Sequence, residues 1–137
     1  MNKVQKTYAL AKAAYQLAKD EVKEYEHGFI IRENVRNKDG SVPKSVWALD
    51  TDDEDYFDEL CDKLYAEDGF RALCDAETGA FKDLQAAEET LIDYGLSLPM
   101  PASVRKTLSD HRKEYRVRDK LLDLTFRLDT RTVKARG

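Results

Sequence analysis

Residues 3–29 read KVQKTYALAKAAYQLAKDEVKEYEHGF, and their pattern decides the fold. Val4, Tyr8, Ala11, Tyr15, Ala18, Val22, Tyr25 and Phe29 follow one another at alternating spacings of four and three. That is the seam period of a helix packed lengthwise against other helices. Alanine, lysine and glutamate fill the remaining positions, and all three favour helix. The seam holds tyrosine and alanine where a free zipper would carry leucine and isoleucine. Its flanks, Gln5, Lys12, Lys19 and Glu26 on one side and Thr7, Ala14, Glu21 and Gly28 on the other, lack the complementary charges that pair coiled-coil strands. The stripe therefore predicts a helix over about 3–27 inside a bundle, ended by His27-Gly28 or one turn later.

A matching stripe lies downstream. Phe70, Leu73, Glu77, Ala80, Leu84, Ala87, Leu91 and Tyr94 again alternate threes and fours, which predicts a second long helix over 70–94 able to oppose the first. Gly79 falls inside it, and Gly95 is placed to cap it. Between the long helices, Thr51 and Glu54 form a capping box that predicts a shorter helix from Thr51 to about Glu67, broken at Asp68-Gly69. After the Pro-rich connector 96–101, a last helix is expected over about 102–128. It has one apolar side at Val104, Leu108, Tyr115, Leu122 and Phe126 and another at Val117, Leu121, Leu124 and Leu128. Residues 122–128 also alternate apolar and polar as a strand would, with helix preferred.

Residues 29–49 lose the helical period. Asn37-Lys38-Asp39-Gly40 is a turn signal and Pro43 discourages helix, so this stretch is an irregular or β-hairpin insertion, with Trp47 expected to anchor it to the core. The architecture expected is mainly α: a long-helix bundle of about four helices forming one domain over 1–129, followed by a basic tail over 130–137.

Composition limits the function classes. At 36% charged and 42% hydrophobic the chain is expected to fold. No apolar run approaches the ~18 residues that cross a bilayer, and the lysine-bearing N-terminus lacks an apolar leader core, so no membrane association is expected and the cytoplasm is the expected location. Cys61 and Cys74 stand apart from each other and from histidines at ligand spacing, which reads as two reduced thiols in core positions. No nucleophile elbow, phosphate-binding glycine loop or zinc-helix signature occurs, so neither catalysis nor a cofactor is expected.

Charge is segregated: +2 over residues 1–50, −12 over 51–100 and +6 over 101–137. The acidic block supplies Asp52, Asp53, Asp55, Asp58, Glu59 and Asp62 as a candidate partner-binding surface. It lacks the central glycine and alternating ligands of a calcium loop, so a metal is not expected there. The basic block supplies Arg105, Arg112, Lys113, Arg116, Lys120 and Arg127, which would fall on one arc of a continuous helix. Such an arc could hold phosphates, or the two blocks could neutralise each other within the fold or between copies. The function expected is therefore a non-enzymatic protein-binding module, with a homo-oligomer preferred over a monomer. Nucleic-acid binding through the basic arc is the first alternative, and an acidic surface that mimics nucleic acid is the second.

Asn37-Lys38-Asp39-Gly40-Ser41, the run Ala87-Glu88-Glu89-Thr90-Leu91-Ile92-Asp93-Tyr94-Gly95-Leu96-Ser97, and Lys120-Leu121-Leu122-Asp123-Leu124-Thr125-Phe126-Arg127-Leu128-Asp129 together resemble small uncharacterised proteins of bacteriophage and prophage genomes. The resemblance spans most of residues 30–133. It implies a phage accessory protein that modulates or inhibits a host or phage machine, working in the host cytoplasm.

Overall fold

The computed structural model describes residues 2–123 and 125. They form helices α1 (Lys3–Arg32), α2 (Glu54–Tyr65), α3 (Asp68–Ser97) and α4 (Ala102–Asp110), then a fifth, α5, over residues 115–123. No strand occurs among the described residues, and residues 33–53 are irregular rather than a hairpin. No helix among them is long and apolar enough to cross a membrane. The chain divides into two compact units, Ala14–Phe81 and Met1–Ala13 with Lys82–Gly137.

Both stripes are the packed faces of their helices. On α1, Val4 through Tyr25 of the stripe are all half-buried and Phe29 is fully buried. On α3, Phe70, Leu84, Ala87 and Leu91 are buried, and Leu73, Glu77, Ala80 and Tyr94 half-buried. Within the unit 14–81, Tyr15 meets Phe81 with ring centroids 5.3 Å apart and Tyr25 meets Phe70 at 5.8 Å. Residue numbers rise along one helix as they fall along the other, so the two run antiparallel there. The core of this unit joins Phe29, Ile30, Val35, Val46, Leu60, Leu64 and Phe70. Each such buried side chain contributes about 1.5–3 kcal/mol relative to exposure.

Gly28 does not end α1. Burial of Phe29 and Ile30 carries the helix one further turn, to Arg32. It closes in a Schellman motif: the N–H of Val35 donates to the carbonyl of Ile30 (3.0 Å) and that of Asn34 to Ile31 (3.2 Å). Asn34 takes the left-handed conformation, at φ 54°, that glycine usually supplies. Ile30 and Val35, the apolar pair that accompanies this motif, are both fully buried.

Four other expectations need correction. The cap of α2 is Asp53, not Thr51: the Asp53 carboxylate accepts the Tyr56 N–H at 3.0 Å, while the Thr51 hydroxyl accepts the Asp53 N–H at 3.2 Å one step outside the helix. Gly95 does not cap α3, which runs through it to Ser97. Gly95 is buried, and a Cβ there would lie 2.7 Å from the Thr125 hydroxyl oxygen. Glycine is needed for close approach, not for a turn. Trp47 does not anchor the insertion. It is 65% exposed, while Val35 and Val46 are buried in its place. The Glu26 carboxylate accepts the Val46 N–H at 2.6 Å, which turns Val46 inward and leaves its neighbour outside.

Finally, the last helix is not continuous. It stops at Asp110, turns through residues 111–114, and restarts as α5. Arg112 and Arg118 both pair with Glu89 of α3. On an unbroken helix, six residues at about 100° each would set them roughly 120° apart, and the turn lets both reach one carboxylate. Leu121 on α5 is fully buried and Val117 half-buried, whereas Tyr115 and Val104 on the other expected apolar side are 80% and 46% exposed. Leu124, Phe126, Arg127, Leu128 and the basic tail over 130–137 lie outside the described residues.

Candidate interaction surfaces

The insertion 33–53 is held by its own polar groups. Asn37 N–H donates to the Ser41 carbonyl (2.8 Å), and Gly40, at φ 87°, donates to the Asn37 carbonyl (2.9 Å), which closes the turn its sequence predicts. The two ends of the excursion are then tied together. Lys38 N–H donates to the Asp50 carbonyl at 3.0 Å, and Asp50 N–H donates to the Asn37 side-chain oxygen at 2.9 Å. Between these ties Trp47 packs edge-on against Phe57 of α2, with ring centroids 5.7 Å apart. An indole left largely in solvent on a pinned loop, backed by a half-buried phenyl ring, is an unusual use of a large apolar side chain.

The acidic block lies beside it. Asp52 pairs with Lys38 at 2.6 Å and Asp53 is spent on the cap. Asp55, Asp58, Glu59 and Asp62, together with Glu54, are exposed on α2 and make no ion pair among the described residues. Glu54, Asp58 and Asp62 repeat at intervals of four, as do Asp55 and Glu59, so they form two adjacent rows spaced about 6 Å along the axis. Glu54 lies nearest the Phe57 side of the helix, about 60° round the axis, and Asp55 and Glu59 lie opposite it. The structure thus brings Asp55, Asp58, Glu59 and Asp62 onto one face and gives Asp52 and Asp53 local structural work.

The basic block is partly consumed. Arg112 donates to Glu89 at 2.8 Å and Asp93 at 2.7 Å, and Arg118 to Glu88 at 2.8 Å and Glu89 at 2.5 Å. The Arg118 guanidinium holds the Glu89 carboxyl below the usual carboxylate range against the opposing effect of burial, with Arg112 adding to it. Arg105 donates to the Leu98 carbonyl at 3.0 Å. Lys113, Arg116 and Lys120 are exposed and make no ion pair among the described residues, and Tyr115 projects beside them. The single arc expected of six cations is therefore broken: Lys113, Arg116 and Lys120 face solvent, and the exposed Glu114, Asp119 and Asp123 lie among them. Arg118 was not singled out by the sequence because its partners lie about thirty positions away.

Groups that could carry chemistry show no activating surroundings. Burial pushes the Cys61 thiol up in pKa, and the carboxylates of Asp58, Asp62 and Glu26 add to that. Burial does the same for Cys74, with Glu77, Asp75 and Glu26 adding. Neither thiol is set up as a thiolate nucleophile. His111 bonds Glu114 at 2.9 Å. His27 borders a groove of about 600 Å3 lined also by Lys23, Glu24, Glu26, Lys44 and Ser45. No three histidine, cysteine or acidic side chains are grouped as a metal site would need among the described residues. Comparison with known protein families, curated proteins and solved structures finds no match.

Proposed function

We propose that this chain is a non-enzymatic binding module that recognises a basic protein surface through Trp47 and the acidic face of α2. The exposure of Trp47 carries the reading. Tryptophan in solvent is costly in hydrophobic terms, and it is among the residues most enriched at the energetic centres of protein interfaces. The carboxylate rows of α2, the helix on which Trp47 packs, would set partner sign and speed encounter, while the indole and Phe57 would supply the desolvated centre. In a phage, as the sequence resemblance implies, such a surface would modulate or inhibit a host or phage machine whose own surface is basic, including one that ordinarily holds nucleic acid.

Purification on the immobilised chain from host lysate, followed by mass spectrometry, tests this. A basic protein is expected to be retained by the native chain and lost with Trp47→Ala and with Asp58→Lys. Retention of no protein, with turnover of a small molecule instead, would overturn it.

A second reading, nucleic-acid binding at residues 113–120, is favoured by one observation: Tyr115 is 80% exposed beside Lys113, Arg116 and Lys120, an aromatic near cations as single-strand binders use, although Glu114 and Asp119 stand among them. Retardation of DNA or RNA that weakens steeply with salt, and is lost with Arg116→Glu, would support it.

A further inference from the structure

We propose that α1 pairs antiparallel with the α1 of a second copy of this chain, through an exposed face centred between Ala13 and Ala14. This contact is independent of the Trp47 surface and gives the chain a second interface.

The face is apolar at its centre. Leu10, Ala13, Ala14 and Leu17 stand at the spacings of three and four that bring residues to one side of a helix. None belongs to the buried stripe, and all four are exposed, Leu10 at 72% and Leu17 at 60%. A single leucine in solvent is ordinary, but two on one side of a helix, with a pair of alanines between them, form a continuous apolar strip. The alanines let another helix approach to about 8 Å, the short end of the usual spacing. The strip belongs to α1, which is unbroken from Lys3 to Arg32, so its register comes from one helix.

The charges at its two ends name the occupant. Lys6 and Lys3 precede Leu10 by four and seven residues, and Glu21 and Glu24 follow Leu17 by four and seven. All four are exposed and make no ion pair among the described residues. At about 100° per residue, these charges and the apolar strip fall within roughly 60° of Leu10 around the axis. The two ends are not interleaved with opposite charge. No acidic residue precedes Asp20 in the chain. Lys12, Lys19 and Lys23 lie about 140–180° away from Leu10, and Lys12 and Lys19 are turned onto the rings of Tyr8 and Tyr15. Along α1 the face therefore reads basic, apolar, acidic.

That order is complementary to its own reverse. With Leu10 set against Leu17 of the second copy in an antiparallel pair, Ala13 meets Ala14, Lys6 meets Glu21 and Lys3 meets Glu24. Each contact occurs twice about a two-fold axis, the isologous arrangement of a closed dimer. A parallel pair would instead set lysines against lysines and glutamates against glutamates, so the charges fix the orientation as well.

The test is sedimentation equilibrium of the full chain. The mass is expected to rise with concentration from the 15.7 kDa of one chain to twice that and no further, because an isologous contact closes. Leu10→Gln with Leu17→Gln changes only exposed positions, should keep the native helix content, and should weaken association at least tenfold. Lys3→Glu with Lys6→Glu should weaken it too, as should Glu21→Lys with Glu24→Lys. Mixed together, these two reversed variants should dimerise with each other. A single chain carrying all four reversals should dimerise as the native chain does, which reads the orientation, since a parallel pair would gain nothing from that exchange.

A native chain that keeps the mass of one chain at its highest soluble concentration overturns the proposal. Association that survives the leucine variant and is lost with Trp47→Ala overturns it as well, and places the contact on the α2 surface instead. A chain with all four reversals that stays monomeric removes the antiparallel register.

Discussion

Glycine at three helical positions meets three different surroundings, and the differences predict opposite effects of one substitution. Gly79 lies in the interior of α3 with nothing within 4 Å of a would-be Cβ. Gly79→Ala should raise stability by about 0.5–1 kcal/mol, the helix-propensity difference, read from denaturant midpoints. Gly28 is equally open inside α1 and belongs to the same class. Gly95→Ala should do the reverse. Its methyl would meet the Thr125 hydroxyl at 2.7 Å, and that hydroxyl is itself committed to the Leu121 carbonyl at 2.9 Å. A loss of about 1–3 kcal/mol is expected from overpacking, recovered in part by the double variant with Thr125→Ala. A sequence shows all three as glycines in or near a helical pattern. Which is a close contact and which a mere weakness depends on neighbours that the local pattern does not contain. Asn34 makes the same point from the other side, because it closes α1 in a role that sequence reading assigned to a glycine six positions earlier.

Among the elements, α2 is built against its own stability. Glu54–Asp58, Asp58–Asp62 and Asp55–Glu59 are like-charged pairs one turn apart, each destabilising by about 0.2–0.5 kcal/mol. Charges in the first turn are offset by the macrodipole, but those at Asp58 and Asp62 gain nothing from it. Asp58→Lys replaces two repulsions by two attractions and should stabilise the chain by about 1 kcal/mol, seen as a higher midpoint in thermal unfolding. The same substitution should weaken partner capture. An unchanged complex with raised stability would mean the rows are not the docking surface.

The last helical segment shows the opposite limit of pattern reading. Its apolar period predicted a buried face at Val117 and Leu121, and Leu121 is indeed fully buried. The period did not disclose the turn at 111–114, because nothing in the local sequence says that Arg112 and Arg118 must both reach Glu89.

Over the molecule as a whole, acid sensitivity follows from the ion pairs that order the helices within each unit. Glu89 is held low in pKa first by its hydrogen bond from Arg118, and Glu33 first by that from Lys63. A carboxyl with a folded pKa below its unfolded one adds stability that is fully present above the unfolded value of about 4.3. That stability is lost as pH falls through the folded value. Thermal midpoints should therefore decline below about pH 4, and Glu89→Gln should lower the midpoint at neutral pH while flattening this acid decline. Amide exchange should show residues 115–123 loosened in that variant. The Glu89 side chain is 50% exposed and that of Glu33 21%, so salt should reduce the effect more at Glu89.

Sequence alone determined the helical class, the two long helices and which side of each turns inward, down to individual positions from Val4 to Phe29 and from Phe70 to Tyr94. It could do so because amphipathic periodicity is written residue by residue into each segment and survives whatever the segment packs against. Only the tertiary structure decided where α1 stops, that the last helix breaks, that Trp47 stands outside while Val35 and Val46 go in, and which charges remain uncompensated. Each of these depends on a pairing across the chain, such as Glu26 with Val46 at twenty positions' separation or Glu89 with Arg118 at twenty-nine. Local pattern sets what a segment can form, and distant partners set where it ends and what it leaves to solvent.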